Sequence, residues 1–388
     1  MASKLKWPWL GIAIPCFLIA LLSYGSHFFI LANFASRSKQ IWFECSVTMI
    51  WISYYLAIYT NPGKNDRPIH PKKYEWKRYC KKCKNFKGQR THHCKTCKQC
   101  VVMMDHHCPW TMNCVGLENF PHFMRFLFWV IVTTGFLSFQ LLCRVVYLFK
   151  HKNLPHYMFH TSELIFLTVL TPLDSFVLLS IALLFCRCLS NQIFSGRSQI
   201  EVWEMERLEA LFYSKRLIPQ LIHSVKEVFP EAHLLQREDE FTKLLNDRRL
   251  RFEDVVNFPY DIDVWTNTVN LLGSPWLWLW PFSKPKVSGM NFPKNELSEL
   301  SLGSSTLDMF LSLPWPPDCC KNGVKIVVPS NKMETSMKNG EQLIRRRSPE
   351  PEQYVPRTKW QNDWGENLED FGVDVETDDP EGTREEID

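Results

Sequence analysis

Seven of the chain's fourteen cysteines fall between Cys80 and Cys114, in the run Cys80-x2-Cys83-x9-His93-Cys94-x2-Cys97-x2-Cys100-x4-Asp105-His106-His107-Cys108-x5-Cys114. CxxC pairs with interleaved histidines supply what tetrahedral Zn²⁺ takes: two soft thiolates on one tight turn, completed by a distant His and Cys. Two Cys₃His sites consume six of these cysteines and two histidines, and one cysteine remains beside a histidine and an aspartate. A spare thiol in that company is a candidate nucleophile. Cysteines concentrated in one metal-like cluster also point to a reducing compartment rather than to a disulfide framework.

Such a cluster needs elements to carry it, and the flanking sequence offers membrane spans. About 20 apolar residues suffice to cross a bilayer. Four stretches qualify, from about Trp7 to Ala32, Ile41 to Tyr59, Phe123 to Phe149 and Leu164 to Cys186, with Trp7, Trp9, Trp42 and Tyr147 near their ends. Aromatic rings of that kind prefer the membrane interface. The first stretch is too long in its apolar part, and lacks too clear a cleavage site, to read as a signal peptide. A mean hydropathy of −0.19 conceals these spans, because a polar second half dilutes an apolar first half. A net charge of only +4 does not call for a polyanionic partner.

Lysine and arginine set the orientation. The segment from Lys64 to Pro121 carries thirteen of them against four acidic residues, whereas the other two loops offer Arg37 and Lys39, and Lys150 and Lys152. The positive-inside rule therefore predicts a cytosolic cysteine-rich loop, with both termini cytosolic as well. Few ionisable groups lie inside the spans. Asp174, after Pro172, and Arg144 are expected to face the bundle interior as a buried pair or polar cap. Arg125, at the start of span three, is expected to snorkel to the interface.

The cysteine-rich segment resembles that of the DHHC protein S-acyltransferases (palmitoyltransferases), and the whole chain is similar to the fungal endoplasmic-reticulum branch of that family. The core of the resemblance runs from Cys80 to about Phe123, and the spans with two shorter motifs extend it to about Gly273. Asn61-Pro62-Gly63 stands where the family has Asp-Pro-Gly, and Ser198-Gln199-Ile200-Glu201 where it has Thr-Thr-x-Glu, with Glu201 expected to pin the tail. Asn257-Phe258-Pro259-Tyr260-Asp261, with Asn267 and Gly273, resembles its C-terminal motif, in which an asparagine anchors the tail near the membrane; Asp263 replaces a usual glycine.

The resemblance implies an all-α membrane protein: four transmembrane helices, a small cytosolic two-zinc cysteine-rich domain and a mostly irregular C-terminal tail. The expected divisions are 1–60 for spans one and two, 61–122 for the zinc domain and 123–190 for spans three and four. Residues 191–275 form a cytosolic motif region, and 276–388 a tail that is largely disordered and acidic at its end. Spacing alone leaves the pairing of ligands open. The family's interleaved pattern assigns Cys80, Cys83, His93 and Cys100 to one zinc and Cys94, Cys97, His107 and Cys114 to the other, both structural. His92 stays outside, as a solvent-exposed or supporting histidine. Asp105, His106 and Cys108 are left as orienter, base and nucleophile, with Pro109 disfavouring a helical Cys108.

The implied reaction moves a long-chain acyl group, palmitoyl, from acyl-CoA through an acyl-Cys108 intermediate to cysteines of membrane proteins, with polytopic clients such as chitin synthase and amino-acid permeases. Thr133, Thr134 and Gly135 either line an acyl-chain cavity or serve tight helix packing. Lys72, Lys73, Lys77, Arg78, Lys81 and Lys82 can steer CoA phosphates, although attraction to anionic lipid explains much of that charge. A nucleic-acid-binding zinc module is the rival reading of the basic loop, and no nucleic-acid partner is expected because the loop is tethered to spans. A non-enzymatic scaffold is the other rival. Trp276, Trp278 and Trp280 suggest an interfacial segment, Leu313-Pro314-Trp315-Pro316-Pro317 an extended linker or a ligand for a proline-reading domain, and Cys319-Cys320 idle thiols or acyl acceptors.

Overall fold

Each apolar stretch folds into one helix, since a backbone in hydrocarbon must satisfy its own hydrogen bonds. The structure is a computed structural model describing residues 7–64, 70–153, 160–230, 249–299, 305–319, 333–338, 341–346 and 355–375. Among the described residues, four helices are long and apolar enough to cross a membrane: α1 Leu10–Phe34, α2 Arg37–Tyr59, α3 Phe120–Lys150 and α4 Thr161–Phe194. Pro121 opens α3, where a missing N–H costs nothing. Helix α1 runs through Pro15 and then widens into π turns at Leu21–Gly25 and His27–Leu31. Helix α4 contains Pro172 and ends in a π turn over Leu189–Phe194.

The chain divides into two compact units. The first comprises Met1–Asn65, Gln89–Ser198 and Asp263–Phe292. Its spans meet around Leu22, Ile30, Leu31, Phe43, Val47, Leu137, Leu141, Leu167 and Leu170, with Phe29 stacked on Phe166 at 3.8 Å between ring centroids. Ionisable groups within the spans find partners: Arg144 Nη2 donates to Glu163 Oε2 at 3.1 Å, His27 Nδ1 lies 2.6 Å from Glu44 Oε1, and Ser138 hydrogen-bonds buried Asp174. This is the pairing that intramembrane charge demands. Arg125 departs from the expected snorkelling. Only 4 % exposed, it turns inward, donating from Nε to the Trp278 carbonyl at 2.6 Å and from Nη1 to that of Ser283 at 3.1 Å. Those carbonyls belong to an irregular segment whose acceptors no helix satisfies, and a guanidinium with five donors can gather several of them.

Three short antiparallel hairpins build the cysteine-rich segment: β1 Tyr79–Cys80 with β2 Asn85–Phe86, β3 Thr91–Cys94 with β4 Gln99–Val102, and β5 His106–Cys108 with β6 Asn113–Val115. Helices α5 Gln199–Tyr213 and α6 Leu217–Val228 follow, then α7 Val264–Leu272, α8 Thr306–Leu311 and the hairpin β7 Met333–Lys338 with β8 Glu341–Arg346.

The second unit comprises Asp66–Gly88, Gln199–Ile262 and Pro293–Asp388. Trp203 of α5 is fully buried and donates from Nε1 to the Glu366 carbonyl at 3.0 Å. Glu204 accepts from Arg357 Nε at 2.6 Å and from Arg207 Nε at 2.9 Å, and Arg207 Nη2 reaches Asp318 at 2.6 Å. Residues 355–375 are thus irregular yet anchored to α5 by a buried ion network. The proline-rich stretch is neither a linker nor a free ligand. Trp315, Pro316 and Pro317 are buried, and Trp76 Nε1 donates to the carbonyls of Pro314 at 2.9 Å and Pro316 at 2.8 Å. A proline-rich backbone has carbonyls without matching N–H groups, and a neighbouring indole satisfies them. Cys319 is buried; Cys320 lies outside the described residues.

Candidate active site and metal centres

The three hairpins are repeats of one shape. Cys80, Cys94 and Cys108 pair with Asn85, Gln99 and Asn113, each five residues on. The turns close through Lys84, Lys98 and Met112, in the left-handed region at φ of 52°, 54° and 51°. In the first two turns the N–H of the second cysteine donates to the sulfur of the first, Cys83 N to Cys80 Sγ at 3.4 Å and Cys97 N to Cys94 Sγ at 3.3 Å. The third turn keeps the shape but holds Thr111 where the others hold a second cysteine. The preceding tetrapeptides repeat too: Thr91-His92-His93-Cys94 and Asp105-His106-His107-Cys108.

The ligand atoms of Cys80, Cys83, His93 and Cys100 lie within 4.8 Å of one another, as do those of Cys94, Cys97, His107 and Cys114. Tetrahedral zinc, with Zn–S of about 2.3 Å and Zn–N of about 2.0 Å, places neighbouring ligand atoms roughly 3.5–3.8 Å apart. In the second group His107 Nδ1 is 3.7, 3.3 and 3.7 Å from the sulfurs of Cys94, Cys97 and Cys114, and the Cys97 and Cys114 sulfurs are 3.5 Å apart. In the first, Cys100 Sγ is 3.7 Å from His93 Nδ1. Donor chemistry and geometry fit two zinc ions, in the pairing the family pattern implied. Four protein ligands fill each site, as structural zinc requires. His92 belongs to neither group and, contrary to a solvent-exposed reading, is buried on β3.

Cys108 lies outside both ligand groups and is 4 % exposed. Asp105 Oδ2 is 2.8 Å from His106 Nδ1, and His106 and Cys108 act on each other's charge in turn. Burial alone would push the imidazole down, but Asp105 and Cys108 hold it up to about 10. Burial likewise would push the Cys108 thiol up; His106, the Thr111 hydroxyl and the Trp110 N–H outweigh it and leave the thiol below its usual range. Phe123 covers His106 edge-on, with ring centroids 5.9 Å apart.

Spans one and two hold this turn in place. Tyr54 of α2 donates its hydroxyl to the Trp110 carbonyl at 2.7 Å. Asn113 Nδ2 donates to the carbonyls of Ile58 at 3.0 Å and Thr60 at 2.9 Å, satisfying acceptors that the end of α2 leaves open. Gly11 of α1 packs against the backbone itself, for a Cβ there would sit 2.0 Å from the Pro109 carbonyl oxygen.

The motif departures retain their mechanical work. Asn61 Oδ1 accepts from the N–H groups of Gly63 at 3.0 Å and Lys64 at 2.9 Å, a turn an aspartate would make equally. Asp263 caps α7 by accepting from Thr266 N at 2.9 Å. Asn267 Nδ2 reaches the Ile193 carbonyl, at the end of α4, at 3.3 Å. Glu201 is buried in the first turn of α5. Sequence reasoning missed Gln192, Tyr54 and Gly11. The only signal was a polar run, Ser190-Asn191-Gln192, interrupting the end of span four.

A thiol outside two filled metal sites, on a turn seated against membrane helices, defines a multi-pass membrane protein with zinc-stabilised cysteine chemistry. A model of the DHHC palmitoyltransferase family matches residues 73–206. The chain is 53 % identical to palmitoyltransferase PFA4 of Saccharomyces cerevisiae and 54 % identical to that of Candida glabrata, over 97 % of this chain and 100 % of each relative. Palmitoyltransferase PFA4 of Candida albicans is 39 % identical over 97 % of this chain and 100 % of its own. The chain belongs to the DHHC palmitoyltransferase family. Its activity is protein S-palmitoyl transfer, with acyl-CoA as donor and membrane proteins as acceptors.

Proposed function

We propose that Cys108 is the nucleophile that carries the acyl group, with His106 as its base and Asp105 as the residue orienting that base. The observation carrying this reading is the 2.8 Å contact of Asp105 with His106, two residues before a cysteine that neither zinc group uses. His106 takes the thiol proton, and the Cys108 sulfur attacks the thioester carbonyl carbon of palmitoyl-CoA. The carbon–sulfur bond to CoA breaks, and the departing CoA thiolate takes the proton from the imidazolium, which returns His106 to its neutral form. A client thiol then gives its proton to His106 and attacks the acyl-enzyme, and Cys108 departs. Each step exchanges one thioester for another, so little driving force is involved and positioning dominates. Bound zinc, held by the eight ligands, supplies rigidity alone: His107 pins the strand on which His106 and Cys108 are displayed.

The acyl chain would lie among the spans beneath Cys108, each buried methylene contributing about 0.8 kcal/mol. Thr133 and Thr134 are buried on α3, and an added Cβ at Gly135 would meet no atom within 4 Å, which leaves room at that depth. Thirteen basic residues between Lys64 and Pro121 favour a cytosolic loop, the side on which acyl-CoA and reduced thiols are found. We place the protein in the endoplasmic-reticulum membrane, acting on polytopic clients of the chitin synthase and amino-acid permease kind, on the strength of its resemblance to that fungal branch. Exposed Trp276 and Trp280 suit an interfacial segment.

Purified zinc-loaded protein given labelled palmitoyl-CoA should acquire a hydroxylamine-sensitive label that Cys108→Ser abolishes. Label surviving that substitution would mark another thiol as the acceptor and overturn the assignment. A wild type that folds, holds two zincs and takes no label would favour the scaffold reading.

A further inference from the structure

Asp105 has two carboxylate oxygens, and His106 occupies one of them. The other, Oδ1, accepts a hydrogen bond from Gln192 Nε2 at 2.7 Å. Gln192 is 2 % exposed and comes from α4, 87 residues away in sequence. Its amide orientation is dictated by its neighbour. A carboxylate only accepts, so turning the amide over would set oxygen against oxygen. In the orientation adopted, Gln192 Oε1 is buried with no hydrogen-bond partner. A leucine would fill this place without stranding an acceptor, and a stranded buried acceptor is costly. The glutamine is therefore present for its donor rather than for its bulk.

The backbone delivering Gln192 is shaped for the purpose. It sits in the π turn Leu189–Phe194, and such turns cluster at functional sites because they redirect side chains that a regular helix would aim elsewhere. The turn is itself held. Asn267 donates to the Ile193 carbonyl at 3.3 Å, Arg197 N to that of Asn191 at 2.9 Å, and Arg90 Nη2 to that of Gly196 at 2.7 Å. A carboxylate bound through one oxygen can swing about its broad terminal torsion, and the imidazole swings with it. Binding the second oxygen from a separate element fixes the carboxylate plane.

We propose that Gln192 is a positioning residue for acyl-enzyme formation, which acts through Asp105 to hold His106 on the line of the Cys108 sulfur. The inference rests on the assignment of Asp105, His106 and Cys108 given above. The side-chain hydrogen bond of Gln192 goes to Asp105, so its removal should slow the chemical step and leave acyl-CoA binding alone.

The test uses full-length, zinc-loaded protein in detergent and labelled palmitoyl-CoA. Gln192→Met keeps the length and removes the donor; Gln192→Leu is the second variant, should the first fold poorly. Either is expected to lower the maximal rate of acyl-enzyme formation about tenfold or more, as loss of a hydrogen bond to a charged group does. The palmitoyl-CoA concentration for half-maximal rate should stay within about twofold of wild type, with two zincs per chain and an unchanged unfolding temperature. In an Asp105→Ala background the same substitution should add nothing, because its route is gone. A maximal rate within about twofold of wild type would overturn the proposal. So would a loss that persists in the Asp105→Ala background, or one that both variants show only together with lost zinc or a lowered unfolding temperature. Cys108→Ser run alongside separates the two claims. If it still takes label, the nucleophile assignment fails; if it does not and Gln192→Met is fully active, only the role of Gln192 fails.

Discussion

Adjacent histidines with different work follow from the geometry of a strand. Successive side chains on β5 point to opposite faces, so His107 faces the zinc ligands while His106 and Cys108 share the other face. His106→Ala should therefore keep two zincs per chain and lose about 100-fold or more in acylation rate, the scale of a missing general base. His107→Ala should lose one zinc and, with it, the fold of the hairpin. Metal analysis beside an acylation assay separates the two; equal zinc loss in both variants would contradict the division of labour. The two ligand groups were legible in sequence because the ligands sit on short hairpins, where covalent spacing nearly fixes position. The repeat of Thr91–Cys94 in Asp105–Cys108 explains why a simple ledger finds one cysteine over. Each zinc draws its CxxC pair from one hairpin and its His and Cys from the next, and the third hairpin runs directly into α3 rather than into another of its kind. Gln192 was not legible, since its partner is 87 residues distant and nothing in its neighbourhood announces the contact.

Among elements, span ends were readable to within about four residues except at the end of α4, which runs on from Cys186 to Phe194, while what the spans do for the site was not. Hydropathy places α1 but cannot say that Gly11 is the point where a backbone carbonyl arrives. The geometry makes this a sharp test. Gly11→Ala puts a methyl 2.0 Å from the Pro109 oxygen, so either α1 or the turn carrying Cys108 must move. Since misplacement of about 1 Å can cost roughly 100-fold in rate, acylation by Gly11→Ala should fall steeply although span insertion and zinc content persist. Tyr54→Phe is the milder companion. It removes one hydrogen bond to Trp110, worth about 1 kcal/mol, and should slow acylation by less than about tenfold. Acylation rates for both, at matched zinc content, check this ordering; full activity in Gly11→Ala would mean that α1 does not set the position of the turn. The π turn ending α4 was equally hidden, because periodicity reports a helix and not the extra residue that re-aims Gln192.

For the whole molecule, composition located membrane, metal domain and polar tail but not the partners that residues of the tail find. Arg357 and Glu366 meet α5 across about 150 residues of sequence, a pairing that no local pattern encodes. Orientation is different, for charge and chemistry constrain it from two sides. Thirteen basic residues against four acidic ones favour retention of the central loop on the cytosolic side. Six ligand thiols, which must stay reduced and deprotonated to hold zinc, favour the same side. With the four spans found among the described residues, both termini are predicted on the side of the central loop, and one experiment tests the whole arrangement. A glycosylation acceptor in a flexible spacer should be modified when inserted at 35–36 or at 152–153. It should remain unmodified when inserted at 64 or appended to the C-terminus. Endoglycosidase-sensitive gel shifts in the reverse pattern would place the thiols in an oxidising lumen, where neither zinc ligation by free thiolates nor acyl-CoA chemistry at Cys108 would be sustained.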